Sequence, residues 1–191
     1  MKLYCATGNP GKLREFRLAG QVLGIEIEPL PGIHSIAAPE ETGATFEENA
    51  KIKACYYSRF APGPLFADDS GLEVDALKGE PGVFSARYAG PGATDEANNR
   101  LLLERMAKKR RRGARFVCVI ALARAGQALK TFRGTVEGEI LPEERGPGGF
   151  GYDPLFYYPP FGCSFGEVDG EKKFDVSHRG NALRLLFKHL R

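Results

Sequence analysis

The stretch FADDSGLEVDAL, residues 66–77, ends an apolar run on two adjacent carboxylates, Asp68 and Asp69, and follows them with Ser70 and Gly71. In a strand, successive side chains point to opposite faces, so the two aspartates cannot serve one site in the same way. The reading is that one faces a ligand while its neighbour supports the backbone. PLFADD, residues 64–69, then reads as a strand buried up to the aspartates, and Ser70–Gly71 as the turn that ends it. A carboxylate pair at the end of a buried strand has to be capped, paired or coordinated, because an unpartnered buried charge is costly.

Working outward, KLYCAT reads as a buried first strand that GNPG breaks before a helix over KLREFRLAGQVLG, with Leu13, Phe16 and Val22 on its apolar stripe. IEIEPL has the alternation of an edge strand, and a polar loop runs through HSIAAPEETGA. TFEE is a capping box: Thr45 caps a helix, Glu48 reaches back, and Phe46, Ala50, Ala54 and Tyr57 form the apolar face. Residues 71–92 are too rich in Gly and Pro for one element, and a second long helix is expected from Thr94 to about Ala107.

ARFVCVIALAR and QALKTFRGTVEGEI read as antiparallel strands turning at Ala125–Gly126. EERGPGGFGYDPLFYYPPFG reads as a loop, and a closing helix starts near Ser177 in SHRGNALRLLFKHL. The pattern predicts an α/β protein with a mixed, partly antiparallel twisted sheet flanked by helices. The length suits one domain over residues 1–191, or two closely packed lobes.

With 42% hydrophobic residues, 27% charged residues and a net charge of +3, the chain has the composition of a soluble globular protein, and the charge does not by itself imply nucleic acid. No apolar stretch approaches a membrane span, and Gly and Pro arrive too early for a signal-peptide core, so the expected location is cytoplasmic and no membrane partner is expected. Cys5, Cys55, Cys118 and Cys163 show no C-x-x-C pair and no zinc-site spacing; reduced thiols are expected, with Cys163 the most exposed.

Four stretches carry candidate chemistry. TGNPGK, Thr7 to Lys12, places glycines, a helix N-terminus and a lysine where a strand hands over to a helix, which suits phosphate; a plain strand-to-helix turn has the same look. Glu40 and Glu41 with Asp68 and Asp69 form an oxygen-only acid set, which favours magnesium, although two glutamates in a loop also read as a solvated surface. GGFGYDP leaves the ring of Phe150 or Tyr152 uncovered for base stacking with Asp153 nearby, or tucks both into the core. SHRG puts His178 and Arg179 at a helix start, against the dipole preference for acids there, which suggests an anionic or carbonyl-bearing partner. The run Lys108–Arg112 has no interleaved aromatics and reads as a solvated connection rather than a nucleic-acid patch.

In this order, TGNPGK, EETGATFEENAKIKA, ADDSGLEVDAL, PGVFSARYAG, GGFGYDPLF and SHRGNAL resemble the inosine/xanthosine triphosphate pyrophosphatase family, the Ham1-like enzymes, over nearly the whole chain. The resemblance implies a two-lobed fold with a cleft. It implies hydrolysis of dITP, ITP and XTP to the monophosphate and pyrophosphate, with Mg2+ as cofactor and a homodimer as the assembly. By motif, Thr7, Gly8, Asn9, Pro10, Gly11 and Lys12 would hold the triphosphate with Lys53, and Ser70 would contact substrate. Asp69 would be general base and metal ligand, with Glu40 the second ligand. Phe150, Gly151, Tyr152, Asp153, Lys173, His178 and Arg179 would form the nucleoside pocket.

Donors such as His178, Arg179 and Lys173 suit the 6-oxo group of hypoxanthine and xanthine, whereas adenine would leave them unpaired. The stretch FGCSFGEVDGEKKFDV, residues 161–176, is looser than the family pattern, which leaves Lys172 and Lys173 both open for the pocket role. A Maf-like nucleotide pyrophosphatase and a nucleic-acid-binding module are the rivals; SHRG and GGFGYDP favour the purine-specific family.

Overall fold

The computed structural model describes residues 2–191, apart from the side chains of Val22 and Leu23. Twelve elements frame the chain: β1 (Lys2–Cys5), α1 (Pro10–Leu23), β2 (Glu26–Pro29), α2 (Phe46–Tyr57), β3 (Leu65–Val74), α3 (Asp95–Met106), β4 (Gly113–Arg124), β5 (Gln127–Ile140), β6 (Phe156–Tyr158), β7 (Cys163–Ser164), α4 (Gly170–Val176) and α5 (His178–Leu190). The seven strands form one sheet in the order β2-β1-β3-β4-β5-β6-β7. β1 is parallel to both β2 and β3, while β6 is antiparallel to β5 and β7, so the sheet is mixed as expected. No helix among the described residues is long and apolar enough to cross a membrane.

The chain divides into two compact units. The first comprises Met1–Asp69, Cys118–Gly134 and His178–Arg191. Here Leu3, Phe16, Ala50, Ala54, Phe66, Ile120 and Leu183 are buried, and the rings of Phe16 and Phe66 meet edge to face at 5.0 Å. Of the stripe expected on α1, Phe16 is buried and Leu13 partly so, while the side chain of Val22 lies outside the described residues. Thr45 caps α2 with both bonds of the capping box, and Phe46, Ala50, Ala54 and Tyr57 are all buried.

Gly134, on β5, admits α5 at backbone distance: a Cβ there would fall 2.2 Å from the carbonyl oxygen of His178 and 2.4 Å from the amide nitrogen of Ala182. The hairpin between β4 and β5 turns where expected, with Ala125 at φ 50° and Gly126 at φ 84°. Positive φ at both central residues is the signature of a two-residue hairpin turn.

The second unit comprises Ser70–Val117 and Thr135–Ser177. Its core gathers Leu72, Val74, Leu102, Met106, Phe116, Phe156 and Phe165. Three departures from the sequence reading lie here. Ser70 and Gly71 do not end β3; the strand continues to Val74, because Leu72 and Val74 bury their side chains in this core. Gly71 is required there not for a turn but for space, since a Cβ would meet Ser85 Oγ at 2.3 Å. The segment expected as one loop, residues 143–162, contains β6 and short 3-10 turns and is followed directly by β7, and α4 precedes the closing helix.

The basic run is partly engaged. The guanidinium of Arg112 donates to the carbonyl oxygens of Ile140 and, at 2.9 Å, Leu141. Lys108, Lys109, Arg110 and Arg111 are exposed, in keeping with a solvated connection.

Candidate active site

The glycine-containing loop after β1 is organised by its own polar side chains. Asn9 caps α1, its Oδ1 accepting from the amides of Gly11 at 2.8 Å and Lys12 at 3.1 Å, and Thr7 Oγ1 accepts from the Asn9 amide at 3.1 Å. Pro10 at the first helical position fits a site where no N–H is needed. This capping fixes the start of α1, and Lys12 in its first turn donates Nζ to Asp68 Oδ2 at 2.8 Å.

The two aspartates of the opening stretch take different partners. Asp68 is buried on Lys12; burial alone would raise its pKa, but the charges of Lys12, Arg179 and Lys53 outweigh that and hold it at about 2. Asp69 Oδ1 accepts from Lys53 Nζ at 2.8 Å, and its Oδ2 accepts from Asn49 Nδ2 at 3.4 Å. For Asp69 burial wins, assisted by the negative charge of Glu41, so its carboxyl is raised above the ordinary value against the pull of Lys53. One aspartate is thus a fixed anion and its neighbour a more basic carboxylate, the character wanted of a proton acceptor.

Lys53, on α2, also reaches Glu41 Oε2 at 3.2 Å. Burial lowers its pKa, and the charges of Asp69, Asp68 and Glu41 more than restore it. Two carboxylates, one on β3 and one in the loop before α2, therefore converge on one ammonium. Glu40 is exposed, and among the described residues no contact ties it to Asp69; the acid brought to the site is its neighbour Glu41. No group of three His, Cys, Asp or Glu suited to a metal occurs among the described residues. Two carboxylates nonetheless fit magnesium, which keeps several waters and is completed by phosphate oxygens.

A pocket of about 370 Å³ is lined by Thr7, Gly8, Asn9, Lys12, Glu41, Lys53 and Asp68, together with Ile33, His34, Ile36 and Tyr57. It brings the TGNPGK loop together with two of the acid set, Glu41 and Asp68, while Asp69 joins through Lys53. His34 was not singled out by the sequence, and Tyr57 was read only as part of the apolar face of α2.

In the second unit, Phe150 stands half-buried on a turn with Gly149 at φ 77° and Gly151 at φ 61°. Asp153 Oδ2 accepts from the Phe150 amide at 2.9 Å and from Lys173 Nζ at 2.7 Å, and Lys173 Nζ lies 4.9 Å from the centroid of the Phe150 ring. Lys172 is exposed, so of the two candidate lysines Lys173 is the one at the aromatic turn. Tyr152 is buried with its hydroxyl on the Ser85 carbonyl at 2.7 Å, and burial raises its pKa; it takes the core role rather than the uncovered one. Ser70 is half-buried in β3.

His178 and Arg179 open α5, in the first unit, and both are buried. Arg179 Nη1 donates to Glu15 Oε2 at 2.8 Å, and the charges of Glu15 and Asp68 raise its pKa although burial opposes this. Glu15 was missed: it is one acid in the middle of α1, and its partner lies 164 residues away.

A sequence model of the Ham1 family matches residues 3–189. The chain belongs to the Ham1 family. Among its relatives, the dITP/XTP pyrophosphatase of Acidobacterium capsulatum is 51% identical over 100% of this chain and 98% of its own length. That of Thermus thermophilus is 51% identical over 98% and 91%. Ham1 proteins of known structure from Staphylococcus aureus and Coxiella burnetii superpose with TM-scores of 0.87 and 0.88 at 40% and 42% identity, each covering 100% of this chain and 98% of the other. For this Ham1 chain, the mixed sheet read from the sequence is the fold its relatives have.

Proposed function

We propose that this Ham1 chain hydrolyses non-standard purine nucleoside triphosphates, dITP, ITP and XTP, to the nucleoside monophosphate and pyrophosphate, and so clears deaminated purines from the nucleotide pool. The observation that carries the reading is Lys53 Nζ held between Asp69 at 2.8 Å and Glu41 at 3.2 Å, in a pocket that Thr7, Asn9 and Lys12 also line. Ammonium groups, loop amides and a carboxylate pair in one concavity suit a triphosphate bound with a divalent cation. The named activities of the relatives point the same way.

Lys12 and Lys53 exchange their carboxylate partners for phosphate oxygens when substrate enters. Asp69 and a glutamate of the Glu40–Glu41 pair would hold Mg2+. Bound there, the ion would supply positive charge to the phosphoryl oxygens. Asp69 accepts the proton of the water that attacks the α-phosphorus, and the two lysines stabilise the charge developing on pyrophosphate. Phe150 offers its ring to the base, and Lys173 offers an N–H to a 6-oxo group that adenine lacks. The protein works as a cytoplasmic homodimer in this reading, with a light-scattering mass twice the 20.9 kDa of one chain.

Incubation with magnesium and, separately, dITP, XTP, dGTP and dATP tests the assignment. Monophosphate and pyrophosphate from the first two with little from the others is the expected result. Equal cleavage of all four would leave a general nucleotide pyrophosphatase, and no cleavage would refute the activity.

A further inference from the structure

The residues that present Phe150 extend beyond its own turn. Gly151, the next residue, has both of its backbone polar groups held by α3. Asp95 Oδ2 accepts from the Gly151 amide at 2.7 Å, and Asn99 Nδ2 donates to the Gly151 carbonyl at 3.1 Å. Asp95 and Asn99 are four residues apart, so they project from the same face of the helix. Asn99 is buried, and its Nδ2 also donates to Glu144 Oε1 at 3.0 Å, so its amide orientation is set by two acceptors.

Gly151 sits at φ 61°, a left-handed conformation that glycine adopts without strain as one of several open to it, so the bonds from α3 select this one. On the other side of Phe150, Asp153 already holds the Phe150 amide. The peptide groups on either side of the ring are therefore both clamped, one from within the turn and one from α3.

We infer that Asp95 and Asn99 are positioning residues for base binding: α3 clamps Gly151 so that the Phe150 ring is presented to the nucleobase in one orientation. This rests on the reading of Phe150 as the base platform. A free ring would have to be ordered each time substrate bound, and that cost appears in KM and not in the chemical step. Because stacking is indifferent to the base, the loss should fall on dITP and XTP alike.

Asp95 is exposed, so replacing it tests the clamp without emptying the core. Asp95→Ala should raise KM for both substrates about fivefold with kcat within about twofold of wild type, the effect of one lost hydrogen bond. Asp95→Asn, which keeps an acceptor oxygen, should restore most of the affinity. Thr94→Ala serves as the control: Thr94 caps the same helix through the Ala97 amide and makes no bond to Gly151, so it should lower the urea midpoint and leave KM in place. KM unmoved in Asp95→Ala, or raised equally in Thr94→Ala, overturns the inference. Wild-type protein that leaves dITP and XTP intact removes the substrate reading and this inference together, whereas wild-type turnover with an unmoved Asp95→Ala removes the inference alone.

Discussion

The two units use lysine–carboxylate pairs for different ends. In the first, Lys12 and Lys53 have side chains 17% and 14% exposed and line a pocket, and Glu41 is 30% exposed. In the second, Lys173 and Asp153 are 4% and 3% exposed, and the carboxylate is further occupied with the Phe150 amide. A lysine at a pocket wall can turn to an incoming anion because ligand reaches it, and Asp68, whose side chain is only 2% exposed, keeps the charges of Arg179 and Lys53 when Lys12 does so. A pair sealed in the core cannot part in this way, since separating it leaves a buried charge. The same two residue types trade partners in one place and stay together in the other, where Lys173 would meet a base with an N–H that Asp153 does not take.

Single substitutions break this comparison from each side. Asp69→Asn should lower turnover by about 10³-fold, within the range of a lost general base, while the urea midpoint hardly moves; pyrophosphate release and denaturation on the same preparation check both halves. Lys173→Met should cost about 3–5 kcal/mol of stability, read from urea unfolding, by leaving Asp153 buried without its cation. Lys12→Met should cost less, about 2 kcal/mol, because Asp68 keeps the charges of Arg179 and Lys53; its larger signature should be a raised KM.

Acid sharpens the contrast further. Folding lowers the Asp68 carboxyl from the ordinary 3.8 to about 2, so the folded chain gives up that proton more readily than the unfolded one. The resulting contribution, about 2 kcal/mol, is complete above about pH 4 and is lost as pH falls toward about 2. The urea midpoint of Asp68→Asn should accordingly vary less with pH across that window than wild type does. The smallest effect concerns the thiols. Burial pushes Cys5 up to about 12 and also raises Cys118, so a thiol reagent at pH 8 should modify the partly exposed Cys55 and Cys163 and spare the other two in the folded protein.

Local signals in the sequence were dependable where one short stretch determines its own geometry. The capping box at Thr45, the Ala125–Gly126 turn and the start of a helix at Thr94 are all of this kind. Ser70–Gly71 misled because local propensity favours a turn there, while Leu72 and Val74, two and four residues from Ser70, gain more by continuing the strand into a core. Strands of two and three residues, such as β7 and β6, show no period at all.

The site divides along the same line. TGNPGK and the Asp68–Asp69 pair were visible as motifs, and the choice of Lys173 over Lys172 needed the burial of one and the exposure of the other. Arg179 with Glu15, and Gly151 with Asp95 and Asn99, join residues whose spacing along the chain carries no signal.

Gly134 bears on how this chain can change over generations. The helix that opens with His178 and Arg179 rests against strand backbone where position 134 has no side chain, and even one methyl group would overlap main-chain atoms of both His178 and Ala182. Main chain cannot rotate away as a flexible side chain can, and no neighbouring substitution can make it smaller. In a library covering every position, 134 should therefore accept nothing larger than hydrogen. Drift in pocket specificity would have to proceed through side chains on α5, with the seat of the helix held constant.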